Sequence, residues 1–376
     1  MLKDGNLVRR PYLEALKQIS GDPNVLKIVT GMRGVGKTTL MEQYAETLFK
    51  KKNPPKIVDY DFDGIHGFTI KNREDLHTAV LKDADGSGNS VIILHEVHRI
   101  PEWDKAVAEL MSMNLGEFFI TASDDTIMAV RNLEAMKDRV VEIRMTPLSL
   151  SEFMELNNFR SPKVALKSYM RIGGLPSVRA NMPEKAAFGI LQGVFCEAVL
   201  KDVLTYDRGL SPVATLNIAH HIMVDSGTVM DSSSVSDASG SSYRKSSQIL
   251  EAMAGCYLIF ENEGRSLMSK LRRNKMVYYS ADIGLRNCIK GYSADPLSLA
   301  ENAVMIELKR LGYSVRIDGE GTDRTLTAVD DESSTAYAVT DRKSPVKKGD
   351  DRIVITTDEN DESGYTLSEF LSEEAE

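Results

Sequence analysis

Short apolar runs and helix-period segments alternate along the first 150 residues. Each run is rich in β-branched or aromatic side chains and ends at polar residues, which favours a buried strand. The runs are Val25–Thr30, Ile57–Asp63, Val91–Leu94, Phe118–Thr121 and Val140–Met145. Helices are predicted at residues 10–17 and 39–50, and in the second of these the apolar residues recur at helical spacing. Strands that alternate with helices predict a parallel α/β sheet domain over residues 1–150.

The pattern becomes helical after residue 150, over a segment that we take to end near residue 210. Apolar residues recur at helical spacing in residues 151–156, 164–172 and 186–204. Gly173–Pro176 interrupts this pattern sharply, since glycine and proline both break helices. Residues 151–210 are therefore predicted as a helical segment.

Residues 211–265 predict a winged-helix-like domain. Two or three short helices and a polar stretch, Ser232–Ser242, come first. Residues 249–260 then read as a helix that runs into a strand. Helices followed by a small hairpin are typical of a winged helix.

Residues 266–376 form the last predicted domain. A strand at 276–279, a helix at 299–311 and a strand at 313–317 are indicated. Beyond residue 318 the signal weakens, because Gly, Asp, Ser and Thr dominate and apolar runs are few. Residues 357–376 are acidic and contain no Lys or Arg, so we expect the extreme tail to be mobile.

Gly31–Thr38 matches the phosphate-cradling pattern G-x-x-x-x-G-K-[ST] and lies between a predicted strand and a predicted helix. Glycines let the backbone N–H groups turn toward phosphate oxygens, and the following helix directs its positive end at the same anion. In this pattern the lysine reaches the β- and γ-phosphates, and the threonine hydroxyl coordinates Mg²⁺. ATP and Mg²⁺ are thus the predicted cofactors, with Thr38 as the metal ligand. The predicted nucleotide-binding residues are Gly31, Met32, Arg33, Gly34, Val35, Gly36, Lys37, Thr38 and Thr39.

The strand Val91–Leu94 ends in His95-Glu96, where P-loop ATPases usually carry Asp-Glu. Glu96 is the candidate base that polarises the attacking water. His95 replaces the carboxylate that holds the Mg²⁺ shell, and Mg²⁺ prefers oxygen ligands. We therefore expect ATP binding with slow hydrolysis. Two alternatives stay open: a zinc site at His95 and His98, and a His95 that only hydrogen-bonds a neighbouring loop.

Three further residues are candidates for catalysis. Thr121 and Ser123, at the end of the fourth predicted strand, could sense the γ-phosphate or orient the water. They could equally be ordinary strand-end capping residues. Arg139, before the fifth strand, could contact a phosphate in cis or as an arginine finger from a neighbouring subunit. A solvated surface arginine is the alternative.

Composition limits the function classes. A chain of 376 residues suggests two or three domains, and a formal net charge of −9 argues against a strongly basic nucleic-acid platform. The 3 cysteines are widely spaced, without metal-binding spacing, which fits unpaired thiols in a reducing cytoplasm. No apolar run reaches the roughly 20 residues of a membrane span. We expect a cytoplasmic protein that binds ATP, with a protein partner or self-association open, DNA not favoured and no membrane contact.

An ordered set of motifs resembles a prokaryotic family of AAA-like P-loop ATPases related to the archaeal ATPase and STAND groups. The set consists of Gly31–Thr38, Glu96–Trp103, Thr121–Ser123, Pro147–Phe153, Gly173–Pro176, Tyr278–Leu285, Glu301–Leu308 and Gly312–Tyr313. The resemblance implies an AAA-type α/β domain, then a helical segment and a winged helix. It further implies a C-terminal domain, of uncharacterised function in that family, resembling restriction-endonuclease-like nucleases. His95 departs from the family's usual aspartate.

The C-terminal domain departs further from its implied pattern. A nuclease of that fold needs a Glu, then an Asp, then a Glu- or Gln-x-Lys set. Glu301 matches the first, but Asp323–Val329 and Tyr337–Asp341 do not supply the rest. A lone Glu301 cannot hold a catalytic Mg²⁺, so we expect an inactive, degenerate nuclease-like domain. Glu301 is interpreted as a helix N-terminal dipole residue.

The leading functional hypothesis is an ATP-binding P-loop ATPase that acts as a nucleotide-dependent switch or regulator. A non-hydrolysing nucleotide-binding scaffold is one alternative. The other is a DNA-associated effector that binds through basic residues of the winged helix, Tyr243–Lys245 and Lys270–Lys275.

Overall fold

A computed structural model describes residues 7–263, 275–291, 296–319, 324–330, 333–341, 352–360 and 365–372. The chain forms two compact units that divide between Thr146 and Pro147. The predicted boundary at residue 150 lies four residues further on. The finer boundaries at residues 210 and 265 stay predictions.

The first unit is built on a five-stranded parallel sheet in the order β2-β3-β4-β1-β5. Each of the five predicted apolar runs overlaps one of these strands, with ends that differ by up to two residues, and the parallel α/β sheet is confirmed. The strands are β1 Leu26–Thr30, β2 Lys56–Asp61, β3 Ser90–His95, β4 Gly116–Ala122 and β5 Val140–Arg144.

Helices cover both faces of this sheet, which is why its central strands are mostly apolar. One face packs against α4 and α5 through a core that includes Ile92, Phe118 and Leu110. On the other face Tyr44 of α2 lies 5.0 Å from Phe119, ring centroid to ring centroid. The helices are α1 Arg10–Ile19, α2 Lys37–Phe49, α3 His66–Thr69, α4 Arg73–Asp83 and α5 Trp103–Ser112, with 3₁₀ turns at Val97–Arg99, Asp125–Asn132 and Glu134–Met136.

The second unit opens with helices. Ser149 begins the first of them through a capping box, in which its hydroxyl accepts the N–H of Glu152 while the Glu152 carboxylate accepts the N–H of Ser149. The segment predicted as one helix from 186 to 204 is interrupted by a π-helical stretch, Ala198–Val203. The helices are α6 Leu150–Asn157, α7 Pro162–Ile172, α8 Glu184–Glu197, α9 Leu204–Tyr206 and α10 Pro212–Val224.

A three-stranded antiparallel sheet with the order β6-β8-β7 follows α10. The polar stretch predicted at 232–242 is mostly a helix, because Asp231 caps its first turn and Val235 anchors it in the core. The elements are β6 Val229–Asp231, α11 Ser232–Ser239, α12 Tyr243–Gly255, β7 Ile259–Glu263 and β8 Lys275–Ser280. We call residues 212–263 together with 275–280 the helix–strand module.

A second five-stranded sheet, in the order β13-β12-β11-β10-β9, occupies the C-terminal part of the chain. β9, β10 and β11 form an antiparallel meander, and β12 runs parallel to β11. The weak sequence signal beyond residue 318 therefore conceals four strands. The elements are α13 Ile283–Lys290, α14 Pro296–Arg310, β9 Ser314–Asp318, β10 Thr325–Val329, β11 Ser334–Thr340, β12 Ile353–Thr356, β13 Tyr365–Thr366 and α15 Leu367–Ser372.

The acidic tail is ordered where it is described. Leu367, Phe370 and Leu371 of α15 are buried, and the Ser151 hydroxyl donates to the carbonyl of Ser372 at 2.9 Å. The expectation of a mobile tail is wrong for residues 365–372, because these three apolar residues share one helix face. Residues 361–364 and 373–376 lie outside the described part of the chain.

In the part of the chain that the structure describes, no helix combines the length and apolarity that crossing a membrane requires.

Candidate nucleotide-binding site

The glycine-rich loop joins the end of β1 to the start of α2. Gly31, Gly34 and Gly36 all have positive φ angles, of 140°, 88° and 100°. A Cβ atom on Gly31 would lie 2.3 Å from the carbonyl oxygen of Met145, so this position accepts only glycine without a shift. The backbone therefore takes the turned conformation in which N–H groups form an anion-binding concavity.

Lys37 is buried at the centre of the loop, with 6% of its surface exposed. Its amine donates to the carbonyl oxygens of Gly31 at 2.7 Å and Met32 at 3.3 Å, and to Ser123 Oγ at 3.1 Å. The Glu96 carboxylate lies 3.6 Å from the same amine. The loop thus holds a desolvated cation where the sequence predicts a phosphate-binding group.

Glu96 follows β3 and is held by Ser123. The backbone N–H and the hydroxyl of Ser123 donate to the two carboxylate oxygens of Glu96 at 2.9 and 2.8 Å. Burial by itself raises the pKa of Glu96, but Lys37, His98 and the Ser123 hydrogen bond outweigh it, so the pKa lies below its ordinary value. Glu96 is accordingly ionised at neutral pH, as a general base must be.

His95 is buried between two strands that flank β3. Its Nδ1 lies 3.1 Å from Thr121 Oγ1 on β4, and its Nε2 lies 3.3 Å from Asp59 Oδ1 on β2. Thr121 is two residues from Phe119, which packs on Tyr44 of α2, so His95 lies on the α2 face of the sheet. Both ring nitrogens therefore have partners, and these partners belong to neighbouring strands rather than to a loop.

His98 faces a different carboxylate. Its Nε2 lies 2.9 Å from Asp124 Oδ2 and 3.9 Å from Glu96 Oε2. Burial raises the pKa of Asp124, but hydrogen bonds from His98 and Thr126 and the charge of His98 lower it by more, so the net shift is downward. His95 and His98 thus pair with separate acids.

Ion pairs and hydrogen bonds brace the outer side of the loop. The Arg9 guanidinium donates to the carbonyl oxygens of Val35 at 3.3 Å and Thr146 at 2.7 Å. The Arg33 guanidinium lies 2.7 Å from the Asp63 carboxylate. Arg33, predicted to line the nucleotide site, is therefore tied to the segment after β2.

The loop residues fit the phosphates of a nucleotide, because the glycine conformations and Lys37 together form an anion cradle. Thr38 is exposed in the first turn of α2, where its hydroxyl is free to meet a metal ion. The neighbouring position on β3 offers imidazole rather than carboxylate oxygen. The residues therefore fit Mg²⁺ through Thr38 but do not supply the carboxylate that would complete its shell.

Arg139 lies away from this site. It precedes β5, which runs parallel to β1. Arg139 therefore lies at the amino ends of the strands, whereas the loop lies at their carboxyl ends. Its guanidinium donates to the Asn24 carbonyl at 2.8 Å and to the Ala135 carbonyl at 3.2 Å. The predicted contact with a phosphate in cis is wrong for this reason, and a role toward a neighbouring subunit stays a prediction.

Sequence reasoning missed four residues that shape the site: Arg9, Asp59, Asp63 and Asp124. Asp59 lies within β2 and Asp63 follows it, and carboxylates near the carboxyl end of a parallel strand are the usual signal for such residues. Asp124 comes directly after the predicted pair Thr121 and Ser123. Arg9 carries no such signal, because its contacts lie more than 20 residues away in sequence.

Two protein families match parts of the chain. Residues 23–154 match a family described as an AAA domain. Residues 163–296 match a domain of unknown function, DUF8612. The first match covers the sheet, the glycine-rich loop and Glu96. The first unit is therefore similar to AAA domains over most of its length.

Similar proteins add little about function. An uncharacterized protein of Haemophilus influenzae is 27% identical over 325 residues, which cover 82% of this chain and 80% of that protein. A DNA polymerase III gamma subunit-related protein of Thermotoga maritima is 13% identical, with a TM-score of 0.32 over 65% of this chain and 98% of that one. AMPPCP-bound DnaA from Aquifex aeolicus is 9% identical, with a TM-score of 0.31 over 68% and 89%. At these TM-scores the structural likeness carries no argument.

Proposed function

We propose that this protein is a nucleotide-dependent switch that binds ATP and hydrolyses it slowly. The observation that carries the proposal is the contrast between two parts of one site. The loop and Lys37 form a complete phosphate cradle, whereas the position next to Glu96 holds an imidazole between Thr121 and Asp59. Binding depends mainly on the first part and turnover on the second.

Each site residue has a proposed role. The backbone of Gly31–Thr39 and the Lys37 amine bind the phosphates, and the Thr38 hydroxyl binds Mg²⁺. Glu96 polarises the attacking water. Ser123 and Thr121 position Glu96 and His95, which their hydrogen bonds support.

The contacts of Lys37 suggest how nucleotide is sensed. Its amine donates to two loop carbonyls and to Ser123, and a γ-phosphate would compete for the same donors. Ser123 in turn holds both oxygens of Glu96. Nucleotide binding would therefore weaken the Ser123–Lys37 contact and change the environment of Glu96, which is the proposed switch.

A non-hydrolysing scaffold is the second candidate, and the Ser123–Glu96 contact favours it. With both oxygens accepting hydrogen bonds and Lys37 nearby, Glu96 is a weaker base than a solvent-facing carboxylate. Turnover by the wild-type protein separates the two candidates.

Element order supports the proposed domains of the second unit. Helix α10, β6, α11, α12 and β7 follow the helix-strand-helix-helix-strand order that begins a winged helix, which is our assignment for residues 211–265. The strand β8, which pairs with β6 and β7, lies beyond that predicted boundary. The mixed sheet β9–β13 behind α14 supports a nuclease-like fold for residues 266–376. Helices α6 to α9, which begin at Leu150, support the helical segment assigned to residues 151–210.

We propose that this nuclease-like domain is inactive. The Glu301 carboxylate accepts hydrogen bonds from Tyr279 and Arg324, with the Arg324 guanidinium 3.1 Å away. An arginine thus takes the place where a metal ion would be needed. Helix α14 begins at Pro296 and has no acidic residue in its first turn, so the interpretation of Glu301 as a dipole residue is wrong.

A cytoplasmic location completes the proposal. No disulfide joins the three cysteines, which all lie in the described residues: Cys196 is exposed, and Cys256 and Cys288 are buried. Unpaired thiols persist in reducing compartments. A protein partner or self-association is proposed as the recipient of the switch, as is common for P-loop regulators.

Nucleotide binding is tested with Lys37→Ala. Titration with a fluorescent ATP analogue should show saturable binding by the wild-type protein and none by the variant. Lys27→Ala is the matched control, because Lys27 is also a buried lysine of the first unit but lies on β1 and pairs with Glu117 at 2.8 Å. Equal affinity in Lys37→Ala and wild type would refute the assignment.

Slow turnover is tested with His95→Asp and His95→Asn. Aspartate restores a charged oxygen ligand, so steady-state ATP hydrolysis should rise by about tenfold or more. Asparagine supplies an oxygen without charge and should not raise it. Turnover in the wild type equal to that of His95→Asp would contradict the role given to His95.

A further inference from the structure

His98 and Asp124 form a buried contact beside Glu96. The Nε2 atom of His98 lies 2.9 Å from Asp124 Oδ2, and the two side chains are only 8% and 2% exposed. The same nitrogen lies 3.9 Å from Glu96 Oε2. One imidazole nitrogen therefore stands between two carboxylates, and one of these belongs to the proposed water-activating base.

The backbone at Glu96 brings His98 to this position. Glu96 has a φ of 56°, in the left-handed region that residues other than glycine seldom adopt. Its N–H donates to the Thr121 carbonyl at 2.8 Å, and its carbonyl accepts the Arg99 N–H at 3.2 Å. The chain thus turns sharply into the 3₁₀ turn Val97–Arg99, and His98 returns to the Glu96 carboxylate. Unusual backbone conformations that are held in this way cluster at functional sites.

Asp124 is fixed independently of His98. It follows β4 and caps the 3₁₀ turn Asp125–Asn132. Its Oδ1 accepts the N–H of Thr126 at 3.0 Å, while its Oδ2 faces His98. Because the cap holds one oxygen in place, the other oxygen is a rigid anchor for the imidazole.

Both carboxyl groups are ionised at neutral pH. Burial raises the pKa values of Glu96 and Asp124, but nearby positive charge and hydrogen bonds, to which His98 contributes in both cases, outweigh it and hold both pKa values below their ordinary range. An ionised Asp124 at 2.9 Å fixes a proton on the Nε2 of His98. The proton is therefore carried by the nitrogen that also faces Glu96.

The two oxygens of Glu96 face different groups. Oε1 lies 3.6 Å from the Lys37 amine, whereas Oε2 faces His98. A γ-phosphate would compete for the Lys37 amine but not for an imidazole that Asp124 anchors. A distance of 3.9 Å is too long for a hydrogen bond, yet the contacts of catalytic groups often tighten only in the substrate complex. With nucleotide bound, His98 is thus the donor that closes on Glu96.

We propose that His98, anchored by Asp124, positions Glu96 for water activation when nucleotide is bound. His98 and Asp124 are positioning residues, since they act through Glu96 rather than on the reacting atoms. The inference rests on the proposed ATP hydrolysis and adds to it the groups that align the base. Across the described residues, no group of three or more His, Cys, Asp and Glu side chains is arranged to hold a metal ion, so a metal site does not explain this cluster.

The test measures single-turnover ATP hydrolysis, with protein in excess, and the Kd of a fluorescent ATP analogue. His98→Leu should lower the hydrolysis rate constant by about tenfold, because Ser123 still holds Glu96 and only its alignment is loosened. The Kd should stay within about twofold of the wild-type value, since the phosphate cradle is unchanged. His98→Gln carries an amide N–H in the place of Nε2 and should keep most of the rate.

The role of Asp124 is tested with Asp124→Asn. Asparagine still caps the turn, so only the charge is lost, and the rate constant should fall by about threefold. His98→Leu with Asp124→Asn should be no slower than His98→Leu alone, because Asp124 acts through His98. A double variant slower by about thirtyfold, the product of the two losses, would overturn the proposal. His77→Leu is the matched control, since His77 lies on α4, which contributes no residue to the site, and it should change neither quantity.

Urea unfolding followed by Trp103 fluorescence checks that each variant folds. If His98→Leu does not fold, His98→Gln and His98→Asn give the same comparison, because the shorter asparagine amide stops short of the Nε2 position; equal rates in that pair would overturn the proposal. Equal rate constants in wild type and His98→Leu would overturn it and leave ATP hydrolysis standing. Equal losses of rate and affinity would make His98 a structural residue and also overturn it. Nucleotide binding without turnover by the wild-type protein would refute hydrolysis itself, and this role with it.

Discussion

Replacing Lys37 by methionine should destabilise the first unit even without nucleotide, because Glu96 would stay buried without its nearest cation. The two charged groups are 3.6 Å apart, and their side chains are only 6% and 10% exposed. Removing one member of a buried ion pair costs about 3–5 kcal/mol. Ser123 continues to hold Glu96, so we expect the lower end, about 3 kcal/mol.

Neutralising Glu96 as well should recover most of that loss. In Lys37→Met with Glu96→Gln no uncompensated charge remains, and the coupling energy should be about 2 kcal/mol. Equilibrium unfolding in urea, followed by tryptophan fluorescence, measures it. Trp103 is the single tryptophan and is buried in the first unit, so the signal reports that unit alone.

A loss of about 3 kcal/mol should lower the urea midpoint by about 1.5 M, for a typical m-value of about 2 kcal/mol/M.

The sign of the pH dependence follows from the lowered pKa of Glu96. Its stabilising contribution is present above the ordinary value of 4.5 and is lost as the pH falls through the lower folded-state value. Additive losses for the two single variants at pH 7 would refute the pairing.

Three other predictions concern separate parts of the chain. Gly31→Ala should abolish nucleotide binding and lower the melting temperature by several degrees, because its Cβ meets the Met145 carbonyl oxygen; nucleotide titration and thermal unfolding test this. Burial raises the pKa of Asp282 to about 6. Its contribution to the free energy of unfolding is therefore full below pH 3.8 and should fall by about 3 kcal/mol as the pH rises through 6. Asp282→Asn should remove that dependence in urea unfolding followed by circular dichroism. Glu301→Gln should destabilise the second unit by about 2 kcal/mol through the loss of charge opposite Arg324, and neither protein should cleave DNA with Mg²⁺.

Each of these has a clear contrary result. A Gly31→Ala protein that binds nucleotide normally would mean that β5 moves aside easily. A wild-type pH profile that Asp282→Asn does not change would assign the titration to another acid, such as the buried Glu307, whose pKa is also raised. Metal-dependent cleavage that Glu301→Gln abolishes would show an active nuclease.

The first unit could be predicted from sequence because its signals are local. Buried parallel strands read as apolar runs, and the glycine-rich loop has fixed spacing within eight residues, from Gly31 to Thr38. Strand order and the pairing of side chains between strands are not local. The contact of His95 with Asp59 joins residues on different strands, and the sequence gives no register between β2 and β3.

The second unit was predicted less well, for two physical reasons. Five of the eight residues of helix α11 are serine, and its formation depends on a cap at Asp231 and one buried anchor at Val235. The sequence signal of helix α15 is weak because acidic residues outnumber apolar ones in the surrounding tail, residues 357–376. Leu367, Phe370 and Leu371 nevertheless recur at helical spacing, which is the signal that could have found it.

The position of α15 also sets an order of events during synthesis. All five strands of the first unit precede Thr146, so that unit can form while the ribosome is still translating. α15 packs against α6, α7 and α14, and its residues emerge some 220 codons later. At about 5–20 residues per second this leaves roughly 10–45 s in which α6 and α7 wait without their final partner. A nascent chain arrested before Leu367 should therefore expose that apolar surface to chaperones.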